Sequence, residues 1–413
     1  MKKVLKFNAT TEFDEQLNIP YVNLTFQTYK DGKQNFGGHV IIYRREEPNY
    51  VFDYDEGEYF DCLLPNEEDV IFDGELNIIN TFSEYKDYDV EVGKVYAYWV
   101  GRESYGKFLT GPKPIKIRNL NVWWHYDKII QTLNQLQSKH TNVTVKTVGF
   151  TRLGKQLNYV KIGSSENTIA CVGAIHAGES GPEFLLTLAK QLLTENPQIF
   201  DKCSLAIMPV VNADMREKMV SGTPWYIRTN ASGVDLNRNF DANFYNVNYS
   251  YNLASDDYRC PTYRGPYPNS EPETQAVINF IKQTNPKIVF SYHALSSITF
   301  DCLLATSMAK NNVIFNNFLD EIYKIYSNAF RSAINYPTLS EFKTSLTCSA
   351  GSLPDYLYNL GIPAFDIEAH SDYVDMLIEC KTDSTTEDTL ALVTKGHKQA
   401  IIEILNYFSK KLN

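Results

Sequence analysis

Thr168-Ile169-Ala170-Cys171-Val172-Gly173-Ala174-Ile175-His176-Ala177-Gly178-Glu179 is an apolar run that ends on a histidine and a glutamate. An uninterrupted apolar run over 168–175 suits a strand covered on both faces. Gly181-Pro182 comes next. Proline is favoured at the first helical position, where the N–H groups have no partner within the helix. An amphipathic helix is therefore expected over 183–193. His176 and Glu179, three residues apart at a strand end, can share one zinc ion through an imidazole nitrogen and a carboxylate oxygen. That spacing alone is a weak signal. A third ligand must come from further along the chain, leaving a fourth position open for water.

Outward from this stretch, from Leu120 onward, short apolar runs alternate with helical periodicity. The runs 158–162, 169–175, 205–211, 288–292 and 364–367 read as strands. The stretches 123–136, 183–193, 273–284, 313–332 and 390–405 read as helices. This pattern predicts an α/β domain over 119–413, with a mostly parallel mixed sheet and helices on both faces. Open α/β sheets bind ligands beyond the carboxyl ends of their strands. Polar residues sit at four such ends: His176 with Glu179, Asn212 with Asp214, His293, and Glu368. His39, His125, His140 and His397 fall elsewhere.

Before Leu120 the pattern is different. Short β-branched and aromatic runs over 21–29, 38–45, 94–101 and 113–118 are separated by turn residues, and no helical period appears. An all-β sandwich over 1–118 is expected to precede the α/β domain. The stretch from Asp87 to Val100, DYDVEVGKVYAYWV, resembles the turn and following strand of a fibronectin type III module. The resemblance implies that Tyr96 ties down the preceding corner. Such a module carries no chemistry, so its implied role is as a spacer or in binding a glycan or protein partner.

The charge balance limits the partners. The 413 residues carry a formal charge of −10, and residues 1–118 hold 14 Lys+Arg against 21 Asp+Glu. An acidic N-terminal part repels phosphate-rich polymers, so no nucleic-acid partner is expected. No run approaches the roughly 18 apolar residues of a membrane span. The basic opening Met1-Lys2-Lys3 lacks the apolar core of a signal peptide. The seven cysteines are scattered, with no CxxC pair. A cytoplasmic location is the simplest expectation.

His176, Glu179 and His293 together make a three-ligand set for one zinc ion per chain. Zinc lowers the pKa of a water it holds to about 7. Glu368, at the end of Phe365-Asp366-Ile367-Glu368, is the best candidate for the general base. Arg228 or Arg238 could stabilise a tetrahedral oxyanion.

At this point a resemblance covers the chain from about Trp123 to its end. It resembles the zinc carboxypeptidase family through four motifs in order: His176-Ala177-Gly178-Glu179; the stretch 227–240, IRTNASGVDLNRNF; the stretch 263–274, YRGPYPNSEPET, leading to Ser291-Tyr292-His293; and the stretch 361–368, GIPAFDIE. The resemblance implies hydrolysis of a C-terminal peptide bond, with a peptide bearing a free carboxylate as substrate. It implies zinc on His176, Glu179 and His293, and Glu368 as base. It gives Arg228 the scissile carbonyl, Asn237 and Arg238 the substrate carboxylate, and Asp235 the far nitrogen of His176.

Several positions depart from the family pattern. Gly178 stands where the family has arginine, Leu346 where it has a mobile tyrosine, and Asn212-Ala213-Asp214-Met215 where it has Asn-Pro-Asp-Gly. The position that sets side-chain preference falls on Leu353, implying an apolar terminal residue, whereas Asp355 in that place would imply a cationic one. Two alternatives accompany the carboxypeptidase reading. One is a peptidase that cuts peptidoglycan stem peptides between D-glutamate and a diamino acid; the other is a silent peptide-binding protein.

Overall fold

The computed structural model describes residues 2–30, 32–34, 38–53, 57–59, 64–76, 78–79, 81–102, 109–179, 181–245, 254–293, 302–334, 345–347, 350–368 and 387–410. The chain divides into two compact units. One takes residues 1–123 and 218–226; the other takes 124–217, 227–374 and 385–413.

The first unit is all β. Its strands are β1 (Lys2–Asp14), β2 (Ile19–Lys30), β3 (Lys33–Gln34), β4 (His39–Glu46), β5 (Val51–Asp53), β6 (Gly57–Tyr59), β7 (Val70–Glu75), β8 (Ile78–Ile79), β9 (Phe82–Asp87), β10 (Val95–Arg102) and β11 (Thr110–Lys116). One antiparallel sheet has the order β1-β2-β9-β8, with β3 beside β2, and a second has the order β11-β10-β4-β7. The alternation read in β2 is real: Val22, Leu24 and Phe26 are fully buried. They join Tyr96, Tyr98 and Val100 of β10 in one core cluster that draws on both sheets. Ala97 and Trp99 point to the other face of β10, where they meet Ile41 and Tyr43. The Glu91 N–H donates to Tyr96 Oη at 3.2 Å, so Tyr96 does hold the preceding corner.

The second unit is built on one eight-stranded sheet. Its strands are β12 (Val143–Phe150), β13 (Gln156–Ile162), β14 (Thr168–Gly173), β15 (Ser204–Met208), β16 (Ile288–His293), β17 (Cys302–Thr306), β18 (Ser345–Thr347) and β19 (Ala364–Glu368). They lie in the order β12-β13-β15-β14-β16-β19-β17-β18. The pairs β15-β14, β14-β16 and β16-β19 are parallel, so the centre of the sheet is parallel and antiparallel pairs flank it. The helices are α1 (Tyr126–Lys139), α2 (Pro182–Glu195), α3 (Ala213–Val220), α4 (Pro272–Thr284), α5 (Val313–Ile334), α6 (Leu353–Asn359) and α7 (Glu387–Lys410). α2 packs on α1 and α7, α5 packs on α7, and α4 lies over β12 to β15. No helix among the described residues is long and apolar enough to cross a membrane.

This topology positions the site. From β14 the chain goes to β15 on one side and to β16 and β19 on the other, which makes the carboxyl end of β14 a switch point, the place where open α/β sheets bind ligands. The predicted strand over 169–175 is shorter than expected. β14 stops at Gly173 because Ala174 takes a left-handed backbone, φ +46°. For alanine that conformation costs roughly 1–2 kcal/mol.

Candidate active site

The turn after β14 carries the first two predicted ligands, and it is held from several directions. Backbone N–H groups of Val211 and Asn212 donate to the Ala174 carbonyl at 3.3 and 3.0 Å. The buried Arg216 of α3 donates from Nη1 to the carbonyls of Ala177 at 2.9 Å and Glu179 at 3.0 Å. Its Nη2 meets the buried carboxylate of Glu183 at 2.6 Å, and that carboxylate also accepts the Trp124 N–H at 2.8 Å. A buried ion pair therefore clamps the turn on both sides of Gly178.

Three donor atoms converge above it. Glu179 Oε2 lies 2.8 Å from His176 Nδ1 and 2.8 Å from His293 Nδ1, and the two Nδ1 atoms are 3.3 Å apart. All three residues are buried, and among the described residues they form the one group whose ligand atoms could hold a metal ion. Burial works to raise the Glu179 carboxyl, but the two imidazoles outweigh it and hold it below the usual carboxylate range. The other ring nitrogens point away from the cluster. His176 Nε2 donates to Asp235 Oδ1 at 3.0 Å, and His293 Nε2 lies 3.0 Å from Ser291 Oγ and 3.4 Å from Asp366 Oδ1.

Asp235 is the hub of the second motif. It caps a short helical turn, Leu236–Arg238, by accepting the Asn237 N–H on Oδ1 at 3.0 Å. Its Oδ2 accepts Arg228 Nε at 2.8 Å. Burial opposes its charge, but Arg228, His176 and Arg238 hold its carboxyl well below the usual range. One carboxylate thus ties a metal-type histidine to Arg228 and to the turn that carries Arg238. Asn237 accepts the Leu353 N–H on Oδ1 at 2.9 Å and donates from Nδ2 to Asp366 Oδ2 at 2.9 Å. Arg238 is buried, and its Nη1 donates to the Asn237 carbonyl at 2.8 Å.

Glu368 ends β19, directly across from His293 in the parallel register. It is 5% exposed. Burial pushes its carboxyl up to about 8, with the charges of Glu179 and Asp366 adding to the rise and His293 and Arg228 opposing it. Leu353 opens α6 and is fully buried among core side chains. Asp355 is buried beside it and accepts the Thr306 hydroxyl. Burial and the charge of Asp366 push its carboxyl up to about 6, against the hydrogen bonds from Thr306 and Ser352.

A sequence profile described as zinc carboxypeptidase matches residues 129–389, more than half of the chain. The chain belongs to the zinc carboxypeptidase family. Among curated proteins it is 27% identical to carboxypeptidase O of Bos taurus, over 73% of this chain and 82% of the relative. It is 25% identical to mast cell carboxypeptidase A of Rattus norvegicus, over 76% of each chain. Among solved structures, it is similar in fold to bovine thrombin-activatable fibrinolysis inhibitor, bound there to a tick carboxypeptidase inhibitor, with TM-score 0.56 and 19% identity over 70% of this chain and 99% of that one. A putative carboxypeptidase A from Shewanella denitrificans matches in fold over 98% of this chain and 99% of its own length, with TM-score 0.52 and 14% identity.

Zinc carboxypeptidases use one zinc ion, and the residues here fit it. Two imidazole nitrogens and a carboxylate oxygen are the donor set of a catalytic zinc site with an open position. The structure brings His176, Glu179, His293, Asp235, Arg228, Asn237, Arg238 and Glu368 into one network of contacts and charges. Asp214, in the 212–215 stretch that departs from the family pattern, is used differently: it accepts the Thr151 hydroxyl and the Leu153 N–H, pinning a neighbouring loop. Leu346 lies in β18, and its side chain is outside the described residues. Three further residues escaped the sequence reading: Arg216, Glu183 and Asp366. Only Asp366 left a signal, since strand alternation places it on the same face as Glu368.

Proposed function

We propose that this zinc carboxypeptidase removes the C-terminal residue of peptides, with Glu368 as general base. The observation that carries the reading is the single Asp235 carboxylate, which joins His176, Arg228 and the Asn237–Arg238 turn. It sets a carboxylate-binding turn at a fixed place beside the metal ligands, which is what selecting a terminal residue requires. Arg238 and Asn237 bind the substrate carboxylate, Arg238 as a planar fork. Arg228 polarises the scissile carbonyl and steadies the developing oxyanion, a contribution whose removal typically costs about 10²–10³ in rate. Glu368 takes a proton from the attacking water as oxygen bonds to the carbonyl carbon. It then gives that proton to the amine nitrogen as the C–N bond breaks. His176, Glu179 and His293 would hold the zinc, which would supply Lewis-acid polarisation at neutral pH.

For the first unit we propose a fibronectin type III-like module that binds a glycan or protein partner. The two-sheet order and the Tyr96 corner support the architecture. The acidic balance of residues 1–118 supports an uncharged or cationic partner.

The test is mass spectrometry of a peptide panel incubated with the zinc-loaded chain. The panel holds free-carboxylate peptides with varied last residues, their C-terminal amides, and peptidoglycan stem peptides. Loss of one last residue from the free acids alone is expected, and the preferred residue decides between the apolar choice implied by Leu353 and the cationic one implied by Asp355. Equal cleavage of the amides would rule out recognition of a terminal carboxylate. Cleavage confined to stem peptides would assign the chain to D-glutamyl–diamino acid bonds, and no cleavage would favour a silent peptide-binding protein.

A further inference from the structure

We infer that Asp366 is the positioning residue of His293, the counterpart of what Asp235 does for His176. The inference rests on the zinc reading of the site. β16 and β19 are parallel, and their register pairs Ser291 with Asp366 and His293 with Glu368. Because side chains alternate along a strand, these four polar groups share one face of the sheet. Asp366 is 4% exposed. A carboxylate this buried is costly unless its oxygens find donors. Oδ2 has one in Asn237 Nδ2 at 2.9 Å. Oδ1 accepts no hydrogen bond within ordinary limits, and the donor that faces it is His293 Nε2 at 3.4 Å.

Ser291 Oγ is the competing partner of the same nitrogen, at 3.0 Å. The chemistry separates the two. A hydroxyl both donates and accepts, so it suits either tautomer of the ring. A carboxylate only accepts. It fixes the proton on Nε2 and leaves the Nδ1 lone pair free, on the side where Glu179 Oε2 waits 2.8 Å away. It also raises the basicity of the ring as a ligand. The tether is rigid: Asn237 holds Asp366 through Nδ2 while its own Oδ1 is fixed by the Leu353 N–H at 2.9 Å. Both metal-type histidines are therefore backed by buried aspartates from different segments, one from the 227–240 loop and one from β19.

The experiment measures zinc affinity by competition with a chromophoric chelator, on the full chain and its Asp366→Asn, Asp366→Thr and Ser291→Ala variants. Melting of each metal-free protein is recorded alongside. Asp366→Asn and Asp366→Thr are expected to weaken zinc about 10–100-fold, with metal-free melting close to the parent, while Ser291→Ala binds zinc like the parent. Parent-like zinc affinity in Asp366→Asn, or the larger loss in Ser291→Ala, overturns the assignment. If neither Asp366 variant folds, Ser291→Ala decides alone: undiminished affinity supports Asp366, and a tenfold loss overturns it. A parent chain that takes no zinc would bring down the reading of the site itself, and this inference with it.

Discussion

Glu368 keeps one carboxylate oxygen, Oε2, buried and without a hydrogen bond. A group left in that condition does not serve stability, since an unpaired buried acceptor costs about 1–3 kcal/mol. Glu368→Gln preserves its shape and removes its capacity to take a proton. Zinc content is expected to stay at one per chain while kcat falls by about 10²–10⁴; metal analysis beside steady-state kinetics checks both, and parent-like turnover would remove Glu368 from the chemistry. At this scale the sequence placed His176, His293 and Glu368 at or just beyond strand ends, and the fold does bring them to neighbouring strands β14, β16 and β19. It was silent on Arg216 and Glu183. They meet only through the fold, 33 positions apart, in a contact that no local pattern encodes.

Between residue and fold, the decisive element is the turn Leu236–Arg238, which meets the approach to α6. Gly351 sits at φ +70°, and a Cβ there would lie 1.9 Å from the Arg238 carbonyl oxygen. Its N–H donates to the Ala242 carbonyl at 2.7 Å and its carbonyl accepts the Phe240 N–H at 3.0 Å, so the two segments are stitched with no room to spare. Gly351→Ala must push the backbone of Arg238. A displacement of about 1 Å in a binding group can cost 10²-fold, so kcat/KM on free-carboxylate peptides is expected to fall by about that factor, with zinc affinity retained. Kinetics that match the parent would show that the close approach is relieved elsewhere. The elements missed in the sequence have ordinary causes. β1 has a register shift between Leu5 and Asn8 that breaks its alternation, and β12 is an edge strand with half of its residues exposed.

Across the second unit as a whole, the α/β alternation from Leu120 onward was legible because periodicity changes there, whereas the polar thread through its interior was not. His397 falls outside every motif, yet it links three elements. It is buried, its Nδ1 lies 2.7 Å from Tyr326 Oη, and Tyr326 Oη lies 3.0 Å from Tyr292 Oη, next to His293 in β16. Its ring packs on Phe330 and Phe184 at 4.8 and 5.2 Å. Burial pushes the imidazole down to about 3. In the unfolded chain it titrates near 6.5. Between those values the unfolded state binds a proton that the folded state refuses, so stability falls as pH drops below about 6.5, by up to about 1.4 kcal/mol per unit, and is unaffected above it. His397→Phe keeps the ring packing and removes the proton. Urea unfolding of parent and variant from pH 7.5 to 5 should give stabilities whose difference shifts in favour of the variant below about pH 6.5. Acid effects at the metal ligands are common to both chains and cancel in that difference, so parallel curves would mean that the buried histidine does not set the acid limit of the fold.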